Sequence, residues 1–336
     1  MTFRIGWIGC GRQATEMLLP QLVMLEGVTL AAIADVNEKA LLQTAGRYAV
    51  ERTFLDYRGL LESPDLDGIG IAVGPSMHQE IGLAALAHGL PVFMEKPPAT
   101  DLAGTRKLAA AAAQVKQPML LGFMKRFSSG NKIARNVPQQ QDVGKPLSFL
   151  GSYMTAPTYF EGEADYCAFF LHHCIHYLDL APWLMGSPIA ALDAREIESS
   201  PGKLLIHLGL TFESGALGAL VMGTMQSRGA PVEFVQIMGD HWKIEIKNVT
   251  DVSYTRDPAF KANNPSAGLH DGADTLYWTP NMTVAASEDH KGYRALLQAS
   301  MDAMRGRPSQ APTIDDAVSA MTALDRMANA LGRPLS

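Results

Sequence analysis

The chain is short of cysteine, of charge and of long apolar runs, and each shortage excludes something. Three cysteines in 336 residues (Cys10, Cys167 and Cys174) are too few for a disulfide framework, so a reducing cytoplasm is the expected setting. Charged residues make up 18% of the chain, with 28 Lys and Arg against 34 Asp and Glu, for a formal charge of −6. That mildly acidic balance argues against broad binding to nucleic acid or to an anionic membrane. No apolar stretch approaches the roughly 18 residues of a membrane span. Phe3-Arg4-Ile5 enters a strand-like segment at once, so no signal peptide is expected. Glycine (30) and proline (20) are near ordinary usage, which excludes disorder and collagen-like order. The length is that of about two globular domains.

What is present is a change of rhythm along the chain. Up to about residue 122, apolar runs at Phe3–Ile8, Val28–Ala34, Gly68–Val73, Pro91–Met94 and Met119–Phe123 alternate with helix patterns. The helix patterns fall at Ala14–Leu25, Glu38–Tyr48, Met77–His88 and Leu102–Val115. This alternation predicts right-handed βαβ units and a doubly wound parallel sheet, an α/β domain buried on both faces. Later, strand patterns follow one another without helices: Ser148–Met154, Leu204–Phe212, Ala216–Met225, Glu233–Gly239 and Lys243–Lys247. They predict an α+β domain with a mainly antiparallel sheet. Helix patterns at Ala168–Met185, Tyr293–Met304 and Ile314–Leu331 accompany it, and Asp257–Glu288 reads as a long loop. The expected domains are residues 1–122 and 123–336.

Gly9-Cys10-Gly11-Arg12-Gln13-Ala14 follows the first strand pattern and opens the first helix pattern, in the G-x-G-x-x-A form of the dinucleotide fingerprint. Gly9 permits the tight turn, Gly11 lets backbone approach a pyrophosphate, and Ala14 lets helix and sheet pack closely. The helix N-terminus offers free N–H groups to phosphate. Asp35 ends the second strand pattern, 24 residues after Gly11, where a carboxylate accepts from ribose hydroxyls and repels a 2′-phosphate. Val36-Asn37-Glu38 brings no arginine, so NAD is favoured; Arg12, beside the loop, keeps NADP open.

Two later strand patterns end in Gly74-Pro75-Ser76-Met77-His78 and Met94-Glu95-Lys96-Pro97-Pro98. Together with Gly122-Phe123-Met124-Lys125-Arg126-Phe127, His176-Tyr177-Leu178-Asp179-Leu180 and Gly332-Arg333-Pro334, they resemble the Gfo/Idh/MocA family of nicotinamide-dependent oxidoreductases. The resemblance implies a Rossmann domain and an open-faced, mainly antiparallel sheet often used for oligomer contacts, hence a homodimer or homotetramer. It implies a polyol or sugar-like substrate. By their places in these motifs, Gly74, Pro75, His78, Glu95, Lys96 and Pro97 join Gly9, Cys10, Gly11, Arg12, Gln13 and Asp35 as cofactor-binding residues. Lys96 is further implied to contact the substrate hydroxyl. Its position at the carboxyl edge of a parallel strand agrees, since a partly desolvated ammonium there stabilises a developing alkoxide. A cis bond at Pro97 is expected in such a turn.

His172, His173 and His176 crowd into five positions. On a helix His172 and His176 share a face. Matched to the family's Asp-x-x-x-His pattern, His176 takes the catalytic position, a general base for the alcohol proton. His172 stands where the family has aspartate. No H-E-x-x-H and no third ligand accompany the pair, so no metal is expected. His173 reads as core. Lys96, His172, His176 and Arg126 together suggest a basic pocket and a substrate with acidic groups. Arg126, His172 and Asp179 are the expected substrate-binding residues. Tyr159, Phe160, Phe169, Phe170, Met124 and Met154 supply core or apolar walls, and Cys10 and Cys174 invite thiol modification near the site. The expected activity is hydride transfer between NAD(P) and a secondary alcohol. A non-catalytic nucleotide-sensing regulator and an NAD-assisted glycoside hydrolase are the alternatives.

Overall fold

A computed structural model describes residues 2–140, 143–156, 166–227, 232–256, 275–280 and 289–335. Its contacts divide the chain into two units: Met1–Met124 with Gly292–Asp325 and Leu335–Ser336, and Lys125–Lys291 with Arg326–Pro334. The sequence pattern put everything after residue 122 in one domain, whereas Gly292–Asp325 returns to the first unit. The ties are long-range. The Leu121 N–H donates to the Pro312 carbonyl at 2.8 Å, and Arg294 donates to the Gln21 side chain at 2.8 Å. Arg305 bonds the Gly27 carbonyl and lies over the Phe3 ring.

The first unit holds six parallel strands: β1 (Phe3–Ile8), β2 (Val28–Ala34), β3 (Thr53–Phe54), β4 (Gly68–Ile71), β5 (Val92–Met94) and β6 (Met119–Leu121). Their spatial order is β3-β2-β1-β4-β5-β6. Strands β4, β5 and β6 are buried at every residue, which is why they read as unbroken apolar runs. The helices between strands start where the chain supplies an acceptor: Asn37 caps Glu38–Tyr48 and Asp101 caps Leu102–Val115. Strand β3 and the helix Tyr57–Leu61 escaped the sequence reading, since neither is long enough to show a period. The first helix also differs from expectation. It is a π segment, Ala14–Leu18, followed by a short α segment, Leu19–Leu22. Pro20 has no N–H to donate back to Glu16, so the regular ladder is interrupted there. Between β1 and β4 the order reverses, and in open α/β sheets ligands bind outside the carboxyl ends at such a point.

The second unit is built on an eight-stranded mixed sheet. Its strands are β7 (Pro146–Met154), β8 (Ile189–Ser200), β9 (Lys203–Phe212), β10 (Leu217–Gly223), β11 (Val232–Gly239), β12 (Trp242–Lys247), β13 (Asp251–Arg256) and β14 (Thr275–Trp278). The order is β14-β13-β12-β11-β7-β10-β9-β8, antiparallel except where β7 meets β10. Along β9, Leu204, Ile206, Leu208, Leu210 and Phe212 are buried while Lys203, His207 and Thr211 are exposed, so one face carries the core. The helix Ile175–Met185 packs against β7, and the helix Ser129–Asn136 against β12 and β13. Strand β8 was not expected, because at the sheet edge its Arg195, Glu196 and Glu198 hide the apolar alternation; pairing with β9 holds it instead. The helix pattern Ala168–Met185 resolves into Tyr166–Phe169, a π segment Phe170–Cys174, and Ile175–Met185. Tyr159, Phe160 and most of the expected loop Asp257–Glu288 lie outside the described residues; Thr275–Trp278 within it is strand β14. Among the described residues no helix is long and apolar enough to cross a membrane.

Candidate active site

A cavity in the first unit sits at the β1/β4 reversal. Gly9 follows β1 with φ 101°, and a Cβ there would lie 2.2 Å from the Ala72 carbonyl oxygen, so only glycine fits. Gly11 and Gly74 face open space: nothing lies within 4 Å of where their Cβ atoms would be. A cavity of about 460 Å³ opens over them, lined also by Arg12, Gln13, Asp35, Val36, Leu55, Tyr57 and Met77. A bare glycine floor, a carboxylate at one end and apolar walls around it suit a pyrophosphate, a ribose and an aromatic base, so these residues fit a dinucleotide. Pro75 opens the helix Pro75–Ala87 with Gly74 as its N-cap.

Asp35 is held by two backbone donors. Its Oδ2 accepts from the Cys10 N–H at 2.6 Å and its Oδ1 from the Asn37 N–H at 2.7 Å. The Cys10 amide therefore serves the carboxylate. Arg12, its side chain 82% exposed, pairs with Glu16 at 2.9 Å. Burial pushes the Cys10 thiol up to about 11; the Thr44 hydrogen bond opposes this and the Asp35 charge adds to it. Cys174 is buried and burial raises its thiol well above the ordinary value too. The expected thiol reactivity near the site is thus corrected, because thiolate is the reactive form.

After β5 comes Glu95-Lys96-Pro97, with the Lys96–Pro97 bond cis. Glu95 is 5% exposed, and its Oε1 has no hydrogen-bond partner among the described residues. Burial pushes its carboxyl up to about 7, against the opposing pull of the Lys96 ammonium, a Gln13 hydrogen bond and the Lys96 N–H. The Gln13 amide nitrogen also lies 3.4 Å from the Tyr293 hydroxyl. His78 is buried with Nδ1 2.6 Å from the Pro97 carbonyl and Nε2 3.4 Å from the Val73 N–H. Those partners assign the proton to Nδ1, and the ring braces backbone on both sides.

In the second unit, Arg126 grips Asp179 through two parallel bonds, Nε to Oδ2 at 2.9 Å and a terminal nitrogen to Oδ1 at 2.5 Å. Asp179 is buried and Arg126 mostly so, at side-chain exposures of 1% and 11%. Lys125, also buried, pairs with Glu233 and lies 5.1 Å and 5.8 Å from the Tyr177 and Tyr153 ring centres. His173, expected in the core, is half-buried; it stacks on Tyr153, with Nδ1 2.8 Å from its hydroxyl. His176 is buried on the regular helix, while His172 is half-buried on the π segment before it. Asp179 thus matches the charge of Arg126, which removes Arg126 from the expected basic pocket. Among the described residues no group of three His, Cys, Asp or Glu is arranged to hold a metal. Sequence reasoning gave no role to Tyr293 or Glu233, whose partners Gln13 and Lys125 lie far away in the chain.

The strand order, glycine turn, acidic strand end and cavity define the first unit as a dinucleotide-binding domain of the kind found in oxidoreductases. Residues 3–123 match the NAD-binding Rossmann fold of the Gfo/Idh/MocA oxidoreductases, and residues 140–334 match their C-terminal α/β domain. The chain belongs to the Gfo/Idh/MocA family of NAD-dependent oxidoreductases. It is 26% identical over 258 residues to a myo-inositol 2-dehydrogenase of Thermotoga maritima, covering 74% of this chain and 77% of that one. Matches to several further inositol 2-dehydrogenases span between half and three-fifths of their length. A dehydrogenase from Chromobacterium violaceum superposes with a TM-score of 0.87 at 20% identity, over 99% of this chain and 96% of that one. The scyllo-inositol dehydrogenase of Lactobacillus casei, bound to NAD(H) and scyllo-inositol, gives 0.79 at 20% identity, over 99% and 97%.

Proposed function

We propose that this protein transfers a hydride between NAD and a secondary alcohol of a cyclitol or sugar. The observation that carries the reading is the glycine-floored cavity with Asp35 held at one end, in a sheet whose β5 leads into Lys96. The inositol dehydrogenases among the relatives point to a polyhydroxylated ring. Asp35 favours NAD over NADP, since its charge opposes a 2′-phosphate.

The nicotinamide ring, when bound, supplies the hydride acceptor. Lys96 orients the reacting hydroxyl and lowers the energy of the oxygen as its proton leaves. His176 takes that proton. Arg126 fixes the carboxylate of Asp179, which accepts from a neighbouring substrate hydroxyl, and His172 holds another. With Arg126 paired to Asp179, a neutral polyol suits this set better than an acid. Three free cysteines support a reducing cytoplasm, and membership of the family, whose open-faced sheet often serves oligomer contacts, supports a homodimer or homotetramer.

The test is an assay of inositols, sugars, sugar acids and glycosides with NAD and NADP, following reduced-cofactor absorbance and sugar release together. Oxidation of a neutral polyol is expected, with Lys96→Met and His176→Ala lowering kcat/KM by about 10²–10⁴-fold. Nucleotide binding without turnover of any substrate makes the protein a regulator. Sugar release without net NADH makes it a hydrolase. Either result refutes the proposal.

A further inference from the structure

We propose that Tyr153 is a positioning residue for His172 and His176, setting from β7 how the π segment Phe170–Cys174 joins the helix Ile175–Met185. The inference deepens the proposed function and rests on the roles given there to those two histidines. A π turn takes in one residue more than an α turn, so the joint alters how His172, before it, faces relative to His176, after it. Something outside the helix has to fix that relation. His173 and Tyr177, each one position further on, are also four residues apart and fall on an adjoining face. Both rest on the Tyr153 ring. His173 stacks on it with 5.2 Å between ring centres and 20° between planes, and its Nδ1 lies 2.8 Å from the Tyr153 hydroxyl. Tyr177 meets the same ring at 5.0 Å. One side chain of the sheet thus holds a residue on each side of the joint.

Tyr153 is itself held. It shares a face of β7 with the buried Phe149 and Gly151, and it is the cross-strand partner of Glu233 on β11. Glu233 takes the Lys125 ammonium, which lies 5.8 Å from the Tyr153 ring centre and 5.1 Å from that of Tyr177. The Lys125 carbonyl accepts from the Asn131 amide at 2.9 Å and from the Ser128 hydroxyl at 3.0 Å, which ties the lysine to the start of the helix Ser129–Asn136. On the π segment's side, the Phe169 ring lies 5.7 Å from that of His173. Packing alone does not require the Tyr153 hydroxyl, since a phenylalanine would stack on the same rings. What the hydroxyl adds is a directed bond to one atom of the π segment, and such a bond fixes the rotation that stacking leaves loose.

The experiment follows the ring resonances of His172 and His176 through pH by NMR of the full-length protein, beside steady-state oxidation of myo-inositol with NAD. Tyr153→Phe keeps the ring and removes the bond. It is expected to move the titration curves of His172 and His176, to leave that of His207, exposed on β9, where it was, and to lower kcat about tenfold. NADH affinity, which belongs to the first unit, is expected to hold at its wild-type value. His173→Phe removes the same bond from the other side and serves as the second variant if Tyr153→Phe does not fold. It should match Tyr153→Phe, and the double variant should add nothing further. A role in packing alone would lower the unfolding midpoint and move neither the curves nor kcat. Curves that stay in place in both variants, or losses in kcat that add in the double variant, overturn the proposal. If wild type oxidises myo-inositol and Tyr153→Phe does so equally fast, this inference fails and the proposed function stands. If wild type oxidises no polyol yet both variants move the two curves, the proposed function fails and the positioning role stands.

Discussion

Replacing Asp35 by asparagine isolates the group proposed to read the adenosine ribose. In the native chain both carboxylate oxygens accept from backbone, Oδ2 from Cys10 at 2.6 Å and Oδ1 from Asn37 at 2.7 Å. The charge is thereby fixed at the end of β2, on the wall of the cavity. A 2′-phosphate in that place would sit about 4 Å away, where like unit charges repel by about 4 kcal/mol at an effective dielectric near 20. Solvent and salt reduce this to about 1.5–3 kcal/mol, so NADH should bind about 10- to 100-fold more tightly than NADPH. Asp35→Asn removes the repulsion but turns its amide NH₂ toward one of the two backbone donors. Losing that charged bond takes about 1.5–3 kcal/mol from the loop. The variant should therefore bind NADH about tenfold more weakly and discriminate against NADPH hardly at all. Fluorescence titrations with both nucleotides, at low and high salt, measure the ratio, and wild-type discrimination should shrink with salt. An unchanged ratio in Asp35→Asn would refute the assignment of Asp35 as the selector.

The remaining predictions concern the scaffold around the site. Asp179→Asn leaves the mostly buried Arg126 guanidinium without its carboxylate and should cost about 3 kcal/mol in urea unfolding; an unchanged midpoint contradicts the pair. In the native protein at pH 8, Cys167 alone of the three thiols should react quickly with a disulfide reagent. Cys10 and Cys174 are buried and protonated, so early labelling of either would oppose that reading. Gly9→Ala forces an unfavourable φ and a collision with the Ala72 carbonyl, and should lose about 1–3 kcal/mol or more by thermal unfolding. Gly11→Ala, facing open space, should fold normally but bind NADH weakly. Equal destabilisation by the two alanines would show that the glycines do not differ as described.

Much of the first unit could be read from the sequence because its signals are local. Strands β1 and β2 and the helices Glu38–Tyr48 and Leu102–Val115 fall at the residues their patterns predict, since buried apolar runs and capping side chains act over a few positions. The fingerprint at Gly9–Ala14 and the carboxylate of Asp35 are equally local, which is why a dinucleotide site could be expected before any fold was known. The mixed sheet of the second unit was foreseen in kind but not in full, because edge strands such as β8 are held by pairing and carry little apolar pattern.

By itself, then, the sequence determined the class of fold and the phosphate loop, and it named Lys96 and His176 as the residues proposed for the chemistry. Only the tertiary structure decided their surroundings. It gave Arg126 to Asp179 across 53 positions and Lys125 to Glu233 across 108, and it set Glu95 against Gly122 and Gln13. It also returned Gly292–Asp325 to the first unit. Burial and charge pairing depend on which distant segments meet, and a meeting between segments leaves no period in the sequence of either one.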